Sequence, residues 1–186
     1  MIARELLGKI IITNIDGITT SGRIVETEAY NGSTDKASHA YAGRRTTRTE
    51  PMYASAATAY VYLCYGMHHL FNIVTNQKDI PHGVLVRAVE PLQGMEDMLI
   101  RTGKKKLDCT LTKGPGNVAK AMGINKLHTG LNLLSNTVFI AEDDYKIDET
   151  EIASSPRIGV AYAGDDALLA YRFFIKGNPF VSAKPR

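Results

Sequence analysis

An aromatic and β-branched run beside a glycine turn places the strongest constraint on the fold of this chain. Residues Ala59–Cys64, with the sequence AYVYLC, have the composition of a β-strand, and Gly66 supplies a turn just after them. The next residues, His68–Thr75, can return beside the first strand as its partner. The segment therefore predicts a β-hairpin with Tyr65 near its tip.

The other periodic segments are short and are separated by turn residues. Asp16-Gly17 lies between the β-branched segments Lys9–Asn14 and Thr19–Tyr30, which favours a strand pair. Further strands are predicted at Val84–Val89, Ile158–Ala161 and Tyr171–Ile175, and helices at Ala3–Leu7, Gln93–Lys104 and Asn117–Met122. Asn117 is predicted to cap the last helix. The expected fold class is α+β, with a curved, largely antiparallel β-sheet, short surrounding helices and a protruding β-hairpin.

Length and composition predict a single domain over residues 1–186. A chain of 186 residues with 44% hydrophobic content can bury a core. Its 22 basic and 19 acidic side chains give a net charge of +3, so attraction to nucleic acid must come from clustered charges. An apolar run of about 18 residues and a secretory signal are both lacking, which predicts a cytoplasmic protein without a membrane partner. Cys64 and Cys109 lack disulfide-framework or zinc spacing, and both are expected to be reduced.

Two glutamates lie close together in the predicted strand around RIVETEAY. An extended backbone places Glu26, Glu28 and Tyr30 on one face of the pleat. They are either solvent-facing residues of an edge strand or part of a site. Aromatic, histidine and arginine side chains further along the chain favour the site.

The order of motifs resembles the alkyladenine (3-methyladenine) DNA glycosylases of the mammalian type. The matching segments are ETEAY at Glu26–Tyr30, DKASHA at Asp35–Ala40, GRRTTR at Gly43–Arg48, YVYLCYGMHHLFN at Tyr60–Asn72, VLVRAVEP at Val84–Pro91, KGPGNVAKAMGI at Lys113–Ile124, and PRIGV with RFFIKGNPFVS near the C terminus. They span nearly the whole chain in the family's order. The resemblance implies an enzyme of base-excision repair that flips a damaged purine out of double-stranded DNA and hydrolyses its N-glycosidic bond. It implies no cofactor and no metal, and we expect a monomer associated with the nucleoid.

The resemblance also implies a role for individual residues. Glu28 matches the carboxylate that activates the water, Arg87 a residue that holds this water or a phosphate, and Ile158 a backbone carbonyl contact to the same water. Tyr30, His39, Tyr62 and Asn72 match the base pocket, in which two tyrosine rings sandwich the base and the Asn72 amide crowds the exocyclic amine of guanine. Tyr65 matches the side chain that enters the base stack, and Met67 is expected to widen this wedge.

The basic residues Arg44, Arg45 and Arg48 lie in a long polar loop, Asn31–Ala54, and are predicted to contact the DNA backbone. Lys104-Lys105-Lys106 is a weaker candidate, because a charge run is more often a solvated surface.

Two positions depart from the family's pattern. Ala56-Ala57 stands where many members have Pro-Gly, and Thr49 stands where an asparagine is usual.

Two other functions are compatible with parts of the sequence. A metal-dependent hydrolase could use ligands among Cys64, His68, His69, His39 and His82, although the H-x-E and P-C-x-x-C pattern of base deaminases is absent. A non-catalytic RNA-binding module could stack bases on Tyr60, Tyr62 and Tyr65, but it would have no need for Glu28.

Overall fold

The longest strand of the protein, β2 (Ile18–Tyr30), joins the parts of the sheet. A computed structural model describes the chain over residues 1–182. Along one edge β2 pairs with β5 (Gly83–Gln93). Along the other edge it pairs first with β1 (Ile10–Ile15) and then with β8 (Arg172–Ile175). One strand therefore brings together segments from the beginning, middle and end of the chain.

The remaining elements are short and complete one antiparallel sheet. The other strands are β3 (Ala59–Cys64), β4 (His68–Val74), β6 (Val138–Ala141) and β7 (Ile152–Ser155). Their order is β3-β4-β5-β2-β1-β6, with β8 beside β2 and β7 beside β8. The α-helices are α1 (Ile2–Glu5), α2 (Met95–Thr102) and α3 (Pro115–Ala121), and 3-10 turns occupy Gly32–Thr34, Tyr41–Gly43, Glu50–Tyr53, Cys109–Leu111, Lys126–His128, Glu149–Glu151 and Ala161–Leu168. The predicted α+β class is confirmed.

Two helices pack on the middle of the sheet and anchor the hairpin strands. Met98 of α2 and Val118 of α3 are fully buried in the same core cluster as Phe71 of β4 and Val86 of β5. Burying such side chains stabilises the fold by about 1.5–3 kcal/mol each. None of the helices within residues 1–182 combines the length and the apolar character needed to cross a bilayer.

The β3–β4 hairpin forms as predicted, except that β4 ends at Val74, one residue before the predicted end, and its backbone is strained where it turns. Tyr65 and Gly66 have φ angles of 49° and 69°. A side chain in this left-handed region costs about 1–2 kcal/mol. Ala57, just before β3, also has a positive φ of 64°. Alanine therefore keeps the left-handed conformation at the position where the resemblance leads us to expect glycine.

Two local predictions were wrong. Helix α3 begins at Pro115, whose fixed φ suits the first helical position, so Asn117 lies inside the helix and does not cap it. Residues Ile158–Ala161 do not form a strand, since Gly159 has a φ of 79° and a 3-10 turn begins at Ala161. Strands β6 and β7 were not predicted at all.

Candidate active site

Glu28 on β2 has no exposed surface, and groups from three parts of the chain hold its carboxylate. Oε1 accepts a hydrogen bond from the backbone N–H of Ile158 at 2.8 Å and lies 3.2 Å from Nη1 of Arg87. Oε2 accepts a hydrogen bond from the Tyr30 hydroxyl at 2.9 Å. A carboxylate oxygen accepts about two hydrogen bonds. Oε1 therefore accepts one hydrogen bond and faces a guanidinium, whereas Oε2 accepts one hydrogen bond and retains one acceptor direction.

Arg87 on β5 bridges the two glutamates of β2. Its Nε donates to Oε1 of Glu26 at 3.0 Å while Nη1 faces Glu28. Burial lowers the pKa of Arg87, but the two carboxylates outweigh this and raise it overall. Burial likewise raises the pKa of Glu26, yet its cationic and N–H partners bring it below the ordinary value. The interpretation of Glu26 and Glu28 as solvent-facing residues of an edge strand is therefore wrong.

A buried ion pair attaches the polar loop to the segment that holds Glu28. Asp35 pairs with Arg157 through both oxygens, with 2.8 Å between Oδ1 and Nη2, and also accepts hydrogen bonds from two backbone N–H groups. The Arg157 guanidinium lies 4.8 Å from the ring centroid of Tyr30. Since Arg157 directly precedes Ile158 in the chain, this ion pair fixes the position of the Ile158 N–H that donates a hydrogen bond to Glu28. Both residues lie in matching motifs, but the sequence offers no signal that they pair across 122 positions.

A cleft of about 580 Å³ opens beside the groups that hold Glu28. Tyr30, Arg87 and Ile158 all line it, so Glu28 lies directly behind its wall. The cleft shares Tyr30 and His39 with a narrower compartment that runs between the polar loop and the sheet. The volume of the cleft is in the usual range for a small-molecule site.

The residues predicted for the base pocket come together in this compartment. His39 Nδ1 lies 2.8 Å from the Tyr60 hydroxyl, and its ring meets Tyr62 edge-on with the centroids 4.5 Å apart. Burial, with smaller contributions from Arg48 and Arg44, lowers the pKa of His39 to about 4. His39 is therefore neutral near pH 7 and offers one donor and one acceptor nitrogen.

Asn72 on β4 lines the same compartment and is buried. Its Nδ2 donates to the carbonyl oxygens of Tyr60 and Leu70, at 3.1 and 3.3 Å. These bonds to two strands hold the amide in one position. A fixed polar group in a narrow compartment can discriminate between ligands by shape.

The hairpin tip carries an exposed apolar cluster at the edge of the cleft. Tyr65 is 86% exposed and Met67 72% exposed, and Leu63 on β3 is also exposed. Tyr62 and Leu63 point to opposite faces of the strand, and Tyr62 is partly buried where Leu63 is exposed, although both line the cleft. Large apolar side chains gathered at a strained tip indicate a contact surface.

The three arginines of the polar loop have different partners. Arg45 pairs with Glu50 and Asp79, each at 2.7 Å, which commits its guanidinium within the protein. Arg48 lines the cleft with its guanidinium 5.3 Å from the Tyr62 ring centroid, and Arg44 is exposed. Thr49 accepts a hydrogen bond from Thr46 N–H and donates to the Arg44 carbonyl, so the threonine orders this loop.

Tyr162 is a site residue that the sequence did not reveal. It lies in the 3-10 turn after Ile158 and lines both the cleft and the compartment. Its hydroxyl donates to the Ala37 carbonyl at 3.1 Å, although the residue is 71% exposed. The bond ties the turn to the polar loop at the compartment, which both residues line. Its position in the PRIGVAY stretch was the available signal, but nothing local distinguished it from an ordinary surface tyrosine.

Known proteins resemble this chain over almost its full length. A sequence model of methylpurine-DNA glycosylases matches residues 1–179. The chain belongs to the methylpurine-DNA glycosylase family. Two relatives, from Clostridium perfringens strain SM101 and Bacillus cereus strain G9842, are each 44% identical, and a third from Clostridium tetani is 43% identical. Each match covers 98% of this chain and 93% of the relative.

These methylpurine-DNA glycosylase relatives are bacterial and carry the provisional name 3-methyladenine DNA glycosylase. They support the family, and they do not support the mammalian type within it. Two of the four histidines considered as metal ligands have other partners, since His39 contacts Tyr60 and His82 contacts Asn76. Over residues 1–182, no three His, Cys, Asp or Glu side chains are grouped to hold a metal ion.

Proposed function

We propose that this protein removes alkylated or deaminated purines from double-stranded DNA, with Glu28 activating the water that hydrolyses the N-glycosidic bond. The observation that carries the proposal is the position of Glu28: a buried carboxylate, held on three sides, directly behind the wall of a cleft. Family membership supports the reaction class.

The chemistry follows from the free acceptor direction on Oε2. A water that donates a hydrogen bond to Oε2 is oriented and made more nucleophilic by the carboxylate. Its oxygen forms a bond to C1′ as the C1′–N bond breaks, the bonding electrons leave with the base, and the proton of the water passes to Glu28. The negative charge of Glu28 stabilises the oxocarbenium-like character that develops at C1′.

Recognition of the base is assigned to the aromatic and amide groups of the compartment. Tyr30 and Tyr62 supply stacking faces, and neutral His39 supplies hydrogen bonds to the base edge. A purine alkylated at N3 or N7 is cationic, so it stacks favourably on electron-rich rings and leaves without strong acid catalysis. The fixed amide of Asn72 is proposed to exclude guanine by crowding its exocyclic amine.

The hairpin tip is proposed to hold the flipped state. Tyr65 and Met67 protrude next to the cleft, where they can fill the gap left in the base stack. Arg44 and Arg48 are proposed to contact phosphates beside this position, whereas the ion pairs of Arg45 favour a role in ordering the loop. We propose that the enzyme acts as a cytoplasmic monomer on nucleoid DNA.

Hydrolysis by water predicts a monofunctional enzyme. Over residues 1–182 the cleft is lined by the arginines and histidines Arg48, Arg87, His39 and His68 and by no lysine, so none of these residues offers a primary amine for a Schiff base with the sugar aldehyde. The expected product is an abasic site in an intact strand. Strand cleavage that borohydride traps as a covalent complex, or loss of activity on adding a chelator, would contradict this mechanism.

The substitution Glu28→Gln tests the proposal, because it keeps the shape of the side chain and removes its ability to accept a proton. Loss of a general base costs about 10²–10⁴-fold in rate. The assay is single-turnover release of free base from duplexes that each contain one defined lesion: 3-methyladenine, 7-methylguanine, hypoxanthine or ethenoadenine.

Glu90→Gln is the matched control, since Glu90 is a glutamate on β5 that bonds Asn178 and does not line the cleft. The Glu90→Gln protein should excise at the wild-type rate. The proposal fails if wild-type protein releases none of the lesions, or if Glu28→Gln keeps more than about a tenth of the rate.

A further inference from the structure

We propose that Arg172 and Glu26 act through Arg87 as positioning residues for Glu28 with opposite effects, Arg172 favouring the Glu28 carboxylate and Glu26 opposing it by competing for Arg87. The inference rests on the proposed function of Glu28 and concerns the charged residues that contact its partner Arg87 or lie one contact further away. Neither residue lines the cleft: Glu26 has no exposed surface and Arg172 is 1% exposed. Their effect must therefore pass through the protein and not through contact with DNA.

The four side chains form a chain of alternating charge. Glu28 faces Arg87 at 3.2 Å, Arg87 donates to Glu26 at 3.0 Å, and Arg172 Nε donates to Glu26 at 2.6 Å. Within residues 1–182, the two carboxylates and two guanidinium groups of this cluster carry equal and opposite charge. An unbalanced buried charge is strongly unfavourable, so each member favours the ionised state of its neighbours.

Polar groups from the C-terminal part of the chain complete this cluster. Ser182 donates to Glu26 through both N–H and Oγ at 2.7 Å, and its Oγ accepts from Arg87 at 3.2 Å. Arg172 donates further to the Ser155 hydroxyl and to the Ser182 carbonyl, both at 3.1 Å. The forked contacts fix the direction of both guanidinium groups. Arg87 is thereby held against Glu28.

Charge balance predicts opposite effects for the two outer residues. Without the charge of Glu26, Arg87 is left to Glu28 alone, which favours the Glu28 carboxylate. Without the charge of Arg172, Arg87 must compensate both carboxylates, which disfavours the Glu28 carboxylate. Both substitutions disrupt the same buried cluster. A purely structural role would therefore move both variants in the same direction.

Other charged and titratable groups also face Glu28, but they are the same in every variant. They are Tyr30 on β2, Tyr62 on β3 and Arg157 next to Ile158. Arg172 itself lies opposite Glu28 in the β2–β8 register. Titration of His39 near pH 4 would likewise affect each protein equally.

The experiment compares Glu26→Gln, Arg172→Gln and the double variant with the wild type. Single-turnover excision of 7-methylguanine, a lesion that is already cationic, is measured across the acid side of the pH profile. The half-maximal rate should move down by about one pH unit in Glu26→Gln and up by about one unit in Arg172→Gln. The double variant, which restores charge balance, should return close to the wild type. Arg172→Lys, which keeps the charge, should leave the position of the acid limb unchanged.

The outcomes distinguish failure of the proposed function from failure of this inference. If the wild type excises nothing, the proposed function fails. If the wild type is active and depends on Glu28 but both single variants shift in the same direction, or neither shifts, this inference is overturned. Should Arg172→Gln not fold, the charge-balanced double variant still decides: its acid limb must lie at higher pH than that of Glu26→Gln, and coincidence of the two refutes the inference.

Discussion

Replacing Tyr65 by asparagine separates the hairpin tip's contribution to DNA binding from any contribution to folding. The side chain is 86% exposed, so its loss should change the free energy of unfolding by no more than about 0.5 kcal/mol. Asparagine tolerates the φ of 49° at this position better than tyrosine, so the substitution adds no backbone strain. Loss of stacking against DNA costs about 1–3 kcal/mol. This corresponds to about 5- to 150-fold weaker binding.

Binding is measured in a Glu28→Gln background, so that the lesion is not released during titration, and stability by urea unfolding. Leu134→Asn is the matched control, because Leu134 is 83% exposed but lies near the opposite end of β3 from the tip. It should leave the affinity for lesion DNA unchanged. Equal affinity with and without the Tyr65 ring would place Tyr65 outside the interface, and a large loss of stability would show that the ring supports the fold.

Two further substitutions test the pocket and the ion pair behind it. Asn72→Ala should raise excision of guanine relative to hypoxanthine, because the group that crowds the exocyclic amine is gone; an unchanged ratio would place selection in another step, such as flipping. Asp35→Asn should lower the free energy of unfolding by about 3–5 kcal/mol, since Arg157 is left buried without its partner. Burial raises the pKa of Asp35, but Arg157 and backbone N–H groups bring it below the ordinary 3.8. The stabilisation by the ion pair is therefore complete above this pH and is lost as the pH falls further. Urea unfolding should give a difference in the free energy of unfolding between wild type and variant that shrinks in acid. A difference independent of pH would refute the ionic explanation.

Local patterns predicted the elements whose stability is mainly local. The β3–β4 hairpin was placed correctly because aromatic and β-branched residues flank a glycine turn. Strands β6 and β7 have four residues each, and they exist because they pair with β1 and β8. No local signal marks such pairings. Ile158–Ala161 has the composition of a strand. Its Ile158 N–H, however, donates to the side chain of Glu28 and is not available for pairing with a neighbouring strand.

For the site, too, residues in local motifs were predicted and their long-range partners were not. The motif resemblance assigned site roles to Glu28, Tyr62 and Asn72; in the structure Tyr62 and Asn72 line the compartment and Glu28 lies behind the cleft wall. It gave Ile158 a role through its carbonyl, while the structure shows its N–H on Glu28. The residues that hold these groups in place were not predicted as partners, because more than a hundred positions separate Asp35 from Arg157. Ion pairs at such distances depend on the tertiary fold and leave no periodic signal in the sequence.

The contact of Ser182 with Glu26 has a consequence for how the protein is made. The two residues are 156 positions apart, and the later one completes the set of donors around the earlier one. During synthesis, strand β2 leaves the ribosome long before β8 and the segment that follows it. Until those residues emerge, burial of Glu26 and Glu28 would leave charged groups without partners. The buried cluster around Glu26 therefore cannot be completed before Ser182 has been translated.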